Sequence, residues 1–287
     1  MRDKTFKISY SRMNTYLFCP YKYKMIYLEN KYIPLNPDIA FGNAVHKTLD
    51  YFYKKGEYTY DSLIDSLNFC WESSGYDSNQ DVYISYLRAN EVLKNFWETF
   101  GKNIPKKIYT EHNFKAEIGK YPFIGIIDRI DEYDDGSKEL VDYKTHKVMW
   151  TQEKIDNDLQ LSLYCYGCKT ALGFIPDRIA IYFLSHNKKI YTTRNEEQIN
   201  DAIKLCVEIA EKINKKEFRY NKEKCPYCDF KESCRFSSFK KETDFKVKIS
   251  DLIWQLFLNL MYSLECKMNN VGKNLCNKFL MEEQWKI

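Results

Sequence analysis

The chain has 287 residues, 44% of them hydrophobic and 16% aromatic, enough to form a sizeable core in one large domain or two small ones. A net charge of only +4, with acids and bases mixed along the chain, does not by itself announce a nucleic-acid binder, although a local groove can still be basic. No run reaches the roughly 18 uncharged apolar residues of a membrane span, and the opening MRDKTFKISYSRMN lacks the apolar core of a signal peptide, so a cytoplasmic protein with no membrane partner is expected. In that compartment the ten cysteines are metal ligands or small buried side chains rather than a disulfide framework.

SYSRMNTYLFCPYKYKMIYLE reads as a helix with Ser9 or Ser11 as N-cap, interrupted at Cys19-Pro20, where proline restricts its predecessor. After the loop KYIPLNPD, FGNAVHKTLDYFYKKG predicts a second helix with His46 near its start. Residues from about 60 to 100 predict two or three more helices with no chemical cluster, an insertion or lid. From about 107 the pattern changes to short β-branched segments: KIYTEHNFKAEIG, YPFIGIIDRIDEY and KELVDYKTHKV, the last two joined by the turn DDGS. IDNDLQLSLYCYGCKTALG returns to helical spacing, RIAIYFLSHNKKIYTTR reads as a strand pair turning at HNKK, and EEQINDAIKLCVEIAEKINKKEF as an amphipathic helix. This order predicts an α/β fold. A strongly apolar helix is expected in the tail, at about 250–265, where it would pack on its own domain or dock a partner.

Val141-Asp142-Tyr143-Lys144 falls in the second strand of the proposed hairpin. Side chains two apart on a strand share a face, so Asp142 and Lys144 project together while Val141 and Tyr143 turn to the core. Asp128, at the end of GIID, can be brought beside Asp142 by the hairpin. Two carboxylates bind Mg²⁺ or Mn²⁺ through oxygen. The ion activates water and neutralises phosphate charge, and a neighbouring ammonium stabilises the charge that develops, which is what phosphodiester hydrolysis requires. Asp131 is the competing acid; on a continuous strand it faces away from Asp128 and pairs with Arg129 or Arg12. Gln160 and Tyr164, four apart on the following helix, share a face and can contact phosphate or orient Lys144. A lone histidine is more often structural than a ligand, but the neutral imidazole of His46 suits Mn²⁺. Lys22, Lys24, Lys147 and Arg129 are candidates for tracking phosphates.

Cys225-x2-Cys228-x5-Cys234 places three thiols in one short loop, with Cys19 as the best fourth ligand. Four thiolates suit a 4Fe–4S cluster or structural Zn²⁺, and spacing alone does not separate them. Cys165 and Cys168 lie at helical spacing and read as buried, as do Cys70, Cys206, Cys266 and Cys276.

Taken together, ISYSRMNTYLFCPYKYKMIYL, FGNAVHKTL, GIIDRID, VDYKT, QLSLY and CPYCDFKESC resemble, in order and over nearly all of residues 8–236, the RecB-like iron–sulfur branch of the PD-(D/E)xK nucleases, similar to AddB-type domains, exonuclease V and CRISPR-adaptation exonucleases. The resemblance implies a restriction-endonuclease-like mixed sheet flanked by helices, with a cysteine-ligated cluster joining the N- and C-terminal parts. It implies that His46, Asp128, Asp142 and the Tyr143 carbonyl bind the metal, that Lys144 is catalytic with Gln160 and Tyr164 assisting, and that Cys19, Cys225, Cys228 and Cys234 hold a 4Fe–4S cluster rather than zinc. The longer gap between His46 and Asp128 and the long tail depart from the compact CRISPR-type members. The expected organisation is a nuclease domain over 1–240, with a helical insertion at about 50–105, and a helical extension over 241–287. The expected activity is Mg²⁺- or Mn²⁺-dependent hydrolysis of DNA, with single strands or free ends as substrate. The rival reading is a non-catalytic nucleic-acid-binding or assembly subunit with a structural zinc or iron–sulfur site.

Overall fold

A computed structural model describes residues 7–33 and 35–239; the expected tail helix, with Cys266 and Cys276, lies outside the described residues. The residues described up to Ser238 belong to one compact unit. Ser9 caps helix α1 (Tyr10–Phe18), its side chain accepting the Arg12 N–H at 3.3 Å, a contact worth about 1 kcal/mol. The helix stops at Cys19, whose φ of −161° is the extended backbone that a following proline enforces. Pro20 then opens α2 (Pro20–Tyr23), where its missing N–H is no loss, and the chain continues as a π-turn through Lys24–Leu28.

Helix α3 (Pro37–Lys55) begins earlier than FGNAVH suggests: Asn36 caps it and Pro37 occupies its first turn, so His46 lies mid-helix rather than near the start. Helices α4 (Tyr60–Cys70) and α5 (Asn79–Phe96) follow. Strands β1 (Lys107–Ile118), β2 (Tyr121–Glu132) and β3 (Lys138–Lys144) come next, then α6 (Gln152–Asp156), α7 (Leu159–Gly167), β4 (Arg178–Phe183), β5 (Lys188–Thr192) and α8 (Glu196–Asn214). The turn between β2 and β3 is made as its residues require: Gly136 takes φ +82° and the Asp135 carboxylate accepts from Ser137 N at 2.9 Å.

The five strands form one sheet in the order β1-β2-β3-β4-β5. All neighbours are antiparallel except β3 and β4, which are parallel and connected through α6 and α7. This mixed sheet between helices is the expected α/β, restriction-endonuclease-like architecture. Alternation along the strands then assigns the two faces. Leu140, Ile179 and Ile181 pack with residues of α1, α7 and α8 on one side. Val141, Tyr143 and Tyr182 pack with α3, α4 and α5 on the other, through Leu49, Leu63, Leu67, Leu93 and Phe96. The helices read from sequence as an insertion or lid therefore supply one of the two core layers. On the first face, Gly125 and Gly167 flank the Phe114 ring; a Cβ on either would sit 2.3 Å from it, closer than any real contact.

The beginning and the end of this unit meet in a third, small cluster of Cys19, Tyr21, Met25 and Phe230. Tyr16 donates its hydroxyl to the Glu217 carbonyl at 2.6 Å and Tyr21 N–H donates to the Arg219 carbonyl at 3.2 Å. No helix among the described residues is long and apolar enough to cross a membrane.

Candidate metal centre and catalytic residues

Pairing of Arg129 with Val141 sets β2 and β3 in register and carries Asp128 to the end of β3. Its Oδ2 accepts the Tyr143 N–H at 2.7 Å, while Oδ1 lies 3.6 Å from His46 Nδ1. Asp142 and Lys144 do project together: Lys144 Nζ lies 2.6 Å from Asp142 Oδ2. Lys144 also donates to Gln160 Oε1 at 3.0 Å, and Gln160 in turn donates to the Tyr164 hydroxyl at 3.0 Å. The sequence-derived residues His46, Asp128, Asp142, Tyr143, Lys144, Gln160 and Tyr164 thus converge, from α3, β2, β3 and α7.

Helix α3 crosses close to the end of β3, because position 42 is glycine: a Cβ there would stand 3.1 Å from Thr145 Oγ1. One helical turn on, His46 meets the edge of the Tyr143 ring, with centroids 5.8 Å apart. The spacing of Gly42 and His46 is therefore a packing requirement that serves the site.

One residue was not legible in the sequence. Glu111, on β1, joins His46 and Asp128 in a group whose ligand atoms all lie within 4.8 Å of one another. Its φ of +43° breaks the regular strand, a conformation that costs an L-residue roughly 1–2 kcal/mol. Nothing in TEHNF announces this, because the backbone there is set by tertiary contacts.

Asp142 is 1% exposed, and neither of its oxygens accepts a hydrogen bond from the protein; its contact with Lys144 is an ion pair. Burial pushes its carboxyl up to about 6, against the pull of the Lys144 ammonium, and the Asp128 charge adds to the rise. For His46, burial works downward, but the nearby Asp128 carboxylate outweighs it and leaves the imidazole above its ordinary value. Lys144 is likewise lowered by burial and raised more by Asp142, so it stays an ammonium. Three carboxyl groups, Glu111, Asp128 and Asp142, stand against one ammonium and the imidazole of His46, an excess of acidic groups. Such a surplus beside orphaned buried oxygens fits a divalent cation, held by hard oxygens and one imidazole.

The structure corrects one expectation and resolves another. Arg129 is 7% exposed and cannot track phosphate from there. It lies on the face opposite Asp142, paired with Asp131 at 2.6 Å and donating to the hydroxyls of Tyr53 and Tyr143. Asp131 is thus the structural acid and Asp128 the one in the site. Lys22, Lys24 and Lys147 are engaged with Asp229, Glu29 and Asp38.

Cys19, Cys225, Cys228 and Cys234 line one small cavity between α1/α2 and the segment after α8. Burial raises the Cys225 thiol, and the neighbouring Cys234 and Cys19 raise it further. Asn221 N–H donates to Cys19 Sγ at 3.3 Å. Cys165 and Cys168 are buried at 1% and 0% exposure, in the core as expected, whereas Cys70 is only half-buried.

Comparison with known proteins adds the family. A crystallised candidate exonuclease from Eubacterium rectale shares the fold at a TM-score of 0.50 and 10% identity, over 78% of this chain and 86% of that one. The protein SSO0001 aligns at 13% identity and a TM-score of 0.34, over 78% of this chain and 96% of its own. No curated protein matches. The family model of the PD-(D/E)XK nucleases matches residues 7–235, a span that includes Glu111, Asp128, Asp142, Lys144 and all four clustered cysteines. The chain belongs to the PD-(D/E)XK nuclease superfamily, whose members cut nucleic acid with divalent metal.

Proposed function

We propose that the protein is a Mg²⁺- or Mn²⁺-dependent DNA exonuclease with a preference for single strands or free ends. The observation that carries the reading is the ion pair of buried Asp142 with Lys144, next to Asp128 and His46. A divalent ion bound there supplies Lewis acidity and lowers the pKa of water. His46, Asp128, Asp142 and the Tyr143 carbonyl would hold it. Lys144 keeps a positive charge beside the phosphate oxygens, Gln160 fixes its position and Tyr164 fixes Gln160.

A groove of about 650 Å³ opens beside Tyr164 and is lined by Lys7, Tyr10, Asn113, Lys115 and Ile126 among others. Two cations with aromatic rings and apolar surface suit one strand, tracked by its phosphates and stacked through its bases. The likeness to the candidate exonuclease agrees with action from an end. End-labelled single- and double-stranded DNA, incubated with each metal and sized over time, tests this. Mononucleotides or short products released from single strands from the earliest times are expected; internal cuts in closed circular duplex at equal rate would overturn it.

Metal binding itself should depend on pH. The ion must displace a proton from His46 and meet an ionised Asp142, and both groups hold their protons to higher pH than usual. Affinity for Mn²⁺ should therefore climb as pH rises through about 6 and on past the ordinary imidazole range, with protons released as the ion binds. Calorimetry in buffers of different ionisation enthalpy measures that release, and a flat profile would contradict the assignment.

The four thiols lining one cavity support a 4Fe–4S cluster, with Zn²⁺ as the competing occupant. Protein purified anaerobically should be brown, with about four irons per chain. Cys225→Ser should lose the iron and the visible absorbance; a colourless wild-type protein carrying one zinc would decide for the rival metal.

A further inference from the structure

Glu111 stands where no motif places a ligand, and three observations bear on what it does. Its carboxylate lies within 4.8 Å of the ligand atoms of both His46 and Asp128. The β1–β2 ladder pairs Thr110 with Arg129 and His112 with Ile127, which puts Glu111 across from Asp128 at the point where the strand kinks through φ +43°. The residue just before it is tied down from α3: Thr110 donates its hydroxyl to Asp50 at 2.6 Å. Asp50 is one helical turn beyond His46, so the same helix that supplies the imidazole also anchors the strand that supplies the carboxylate.

That arrangement pushes like charges together. Asp128 has Glu111 on one side and the buried Asp142 on the other, with the Lys144 ammonium against Asp142 and the His46 imidazole against Asp128 as the nearby basic groups. A positive φ and an acidic crowd are both unfavourable in the metal-free protein, and both become useful once a cation sits among them.

Resting on the metal-dependent reading above, we propose that Glu111 is a direct ligand of the divalent ion, completing with His46 and Asp128 a three-armed nitrogen–oxygen cradle against which Asp142 closes. Mg²⁺ gives up its waters reluctantly and is usually held by one or two carboxylates, so a third protein carboxylate beside Asp128 and Asp142 suits it less than Mn²⁺. Glu111 therefore sets both the affinity of the site and its bias toward Mn²⁺.

The test is Mn²⁺ and Mg²⁺ binding to the full chain, by calorimetry and by the electron paramagnetic resonance of bound Mn²⁺. Glu111→Gln removes the charge. Glu111→Gly removes the carboxylate while keeping a residue that adopts positive φ freely. Glu117→Gln makes the same charge change on an exposed position of the same strand, and Asp128→Asn reports on the site as a whole. Both Glu111 variants should bind Mn²⁺ at least tenfold more weakly, lose more affinity for Mn²⁺ than for Mg²⁺, and unfold without metal at the wild-type temperature or above it. Glu117→Gln should bind like wild type. Wild-type affinity in both Glu111 variants, with loss in Asp128→Asn, would overturn the role of Glu111 and leave the nuclease site standing. A lowered metal-free melting temperature accompanying the weaker binding would assign Glu111 a structural role instead. Unchanged binding in Asp128→Asn as well would remove the metal site itself.

Discussion

Lys144→Ala should leave the protein folded and slow cleavage by about 100- to 1000-fold, the usual cost of deleting one group aimed at developing charge. The side chain is held from three directions: Asp142 at 2.6 Å, Gln160 at 3.0 Å and the Trp150 ring, whose centroid is 5.6 Å from Nζ. Pre-positioning of this kind is what makes a fixed charge effective in a water-poor site. The direction of its pKa shift bears on its role. Because Asp142 raises the ammonium above its usual value, Lys144 stays protonated in the metal-free protein, and the proposed role for it is that of a cation rather than a general base. Lys144→Arg should then recover part of the rate, whereas a base could not be replaced in this way. Single-turnover cleavage at saturating Mn²⁺, with circular dichroism to verify folding, distinguishes these outcomes. Undiminished cleavage by Lys144→Ala would dismiss the assigned site.

The second large effect concerns stability. Arg129 and Asp131 are 7% and 0% exposed and pair at 2.6 Å on the face of the sheet away from the site. Removing one member of such a buried pair strands the other charge and costs about 3–5 kcal/mol, a large part of the 5–15 kcal/mol that holds a typical domain together. Arg129→Met should therefore lower the urea midpoint sharply. The double variant Arg129→Met/Asp131→Leu should recover much of the loss, since apolar replacement of both partners leaves no orphan. A single variant as stable as wild type would show that water or Lys189 satisfies Asp131 instead. Arg129 also donates to the Tyr143 hydroxyl at 3.3 Å, while the Tyr143 N–H holds Asp128 at 2.7 Å. Loss of Arg129 should consequently weaken metal binding even where the variant remains folded.

The period of two along a strand explains what was legible. It placed Asp142 and Lys144 together, Val141 and Tyr143 on the other face, and Asp131 away from Asp128, and the structure agrees in each case. The same parity argument applied to Arg129, which pairs opposite core-facing Val141, would have withdrawn it from the phosphate-tracking residues. The Cys-Pro break and the DDGS turn were legible because proline and glycine act locally. The start of α3 was missed because Asn36-Pro37 lies in a stretch that also reads as loop, although it is a good cap with a proline in the first turn. Glu111 was beyond reach. Its neighbour Thr110 is held by Asp50, a contact between α3 and β1 whose partners lie 60 positions apart.

The hydrogen bonds that join the first helices to the segment after α8 involve no inorganic component. Tyr16 with Glu217, Tyr21 with Arg219, and Asn221 with Phe18 are polypeptide contacts alone. These contacts hold together the segments whose four thiols line one cavity. Anything bound among those thiols would add a cross-link to a tie that these contacts already make between residues about 200 positions apart.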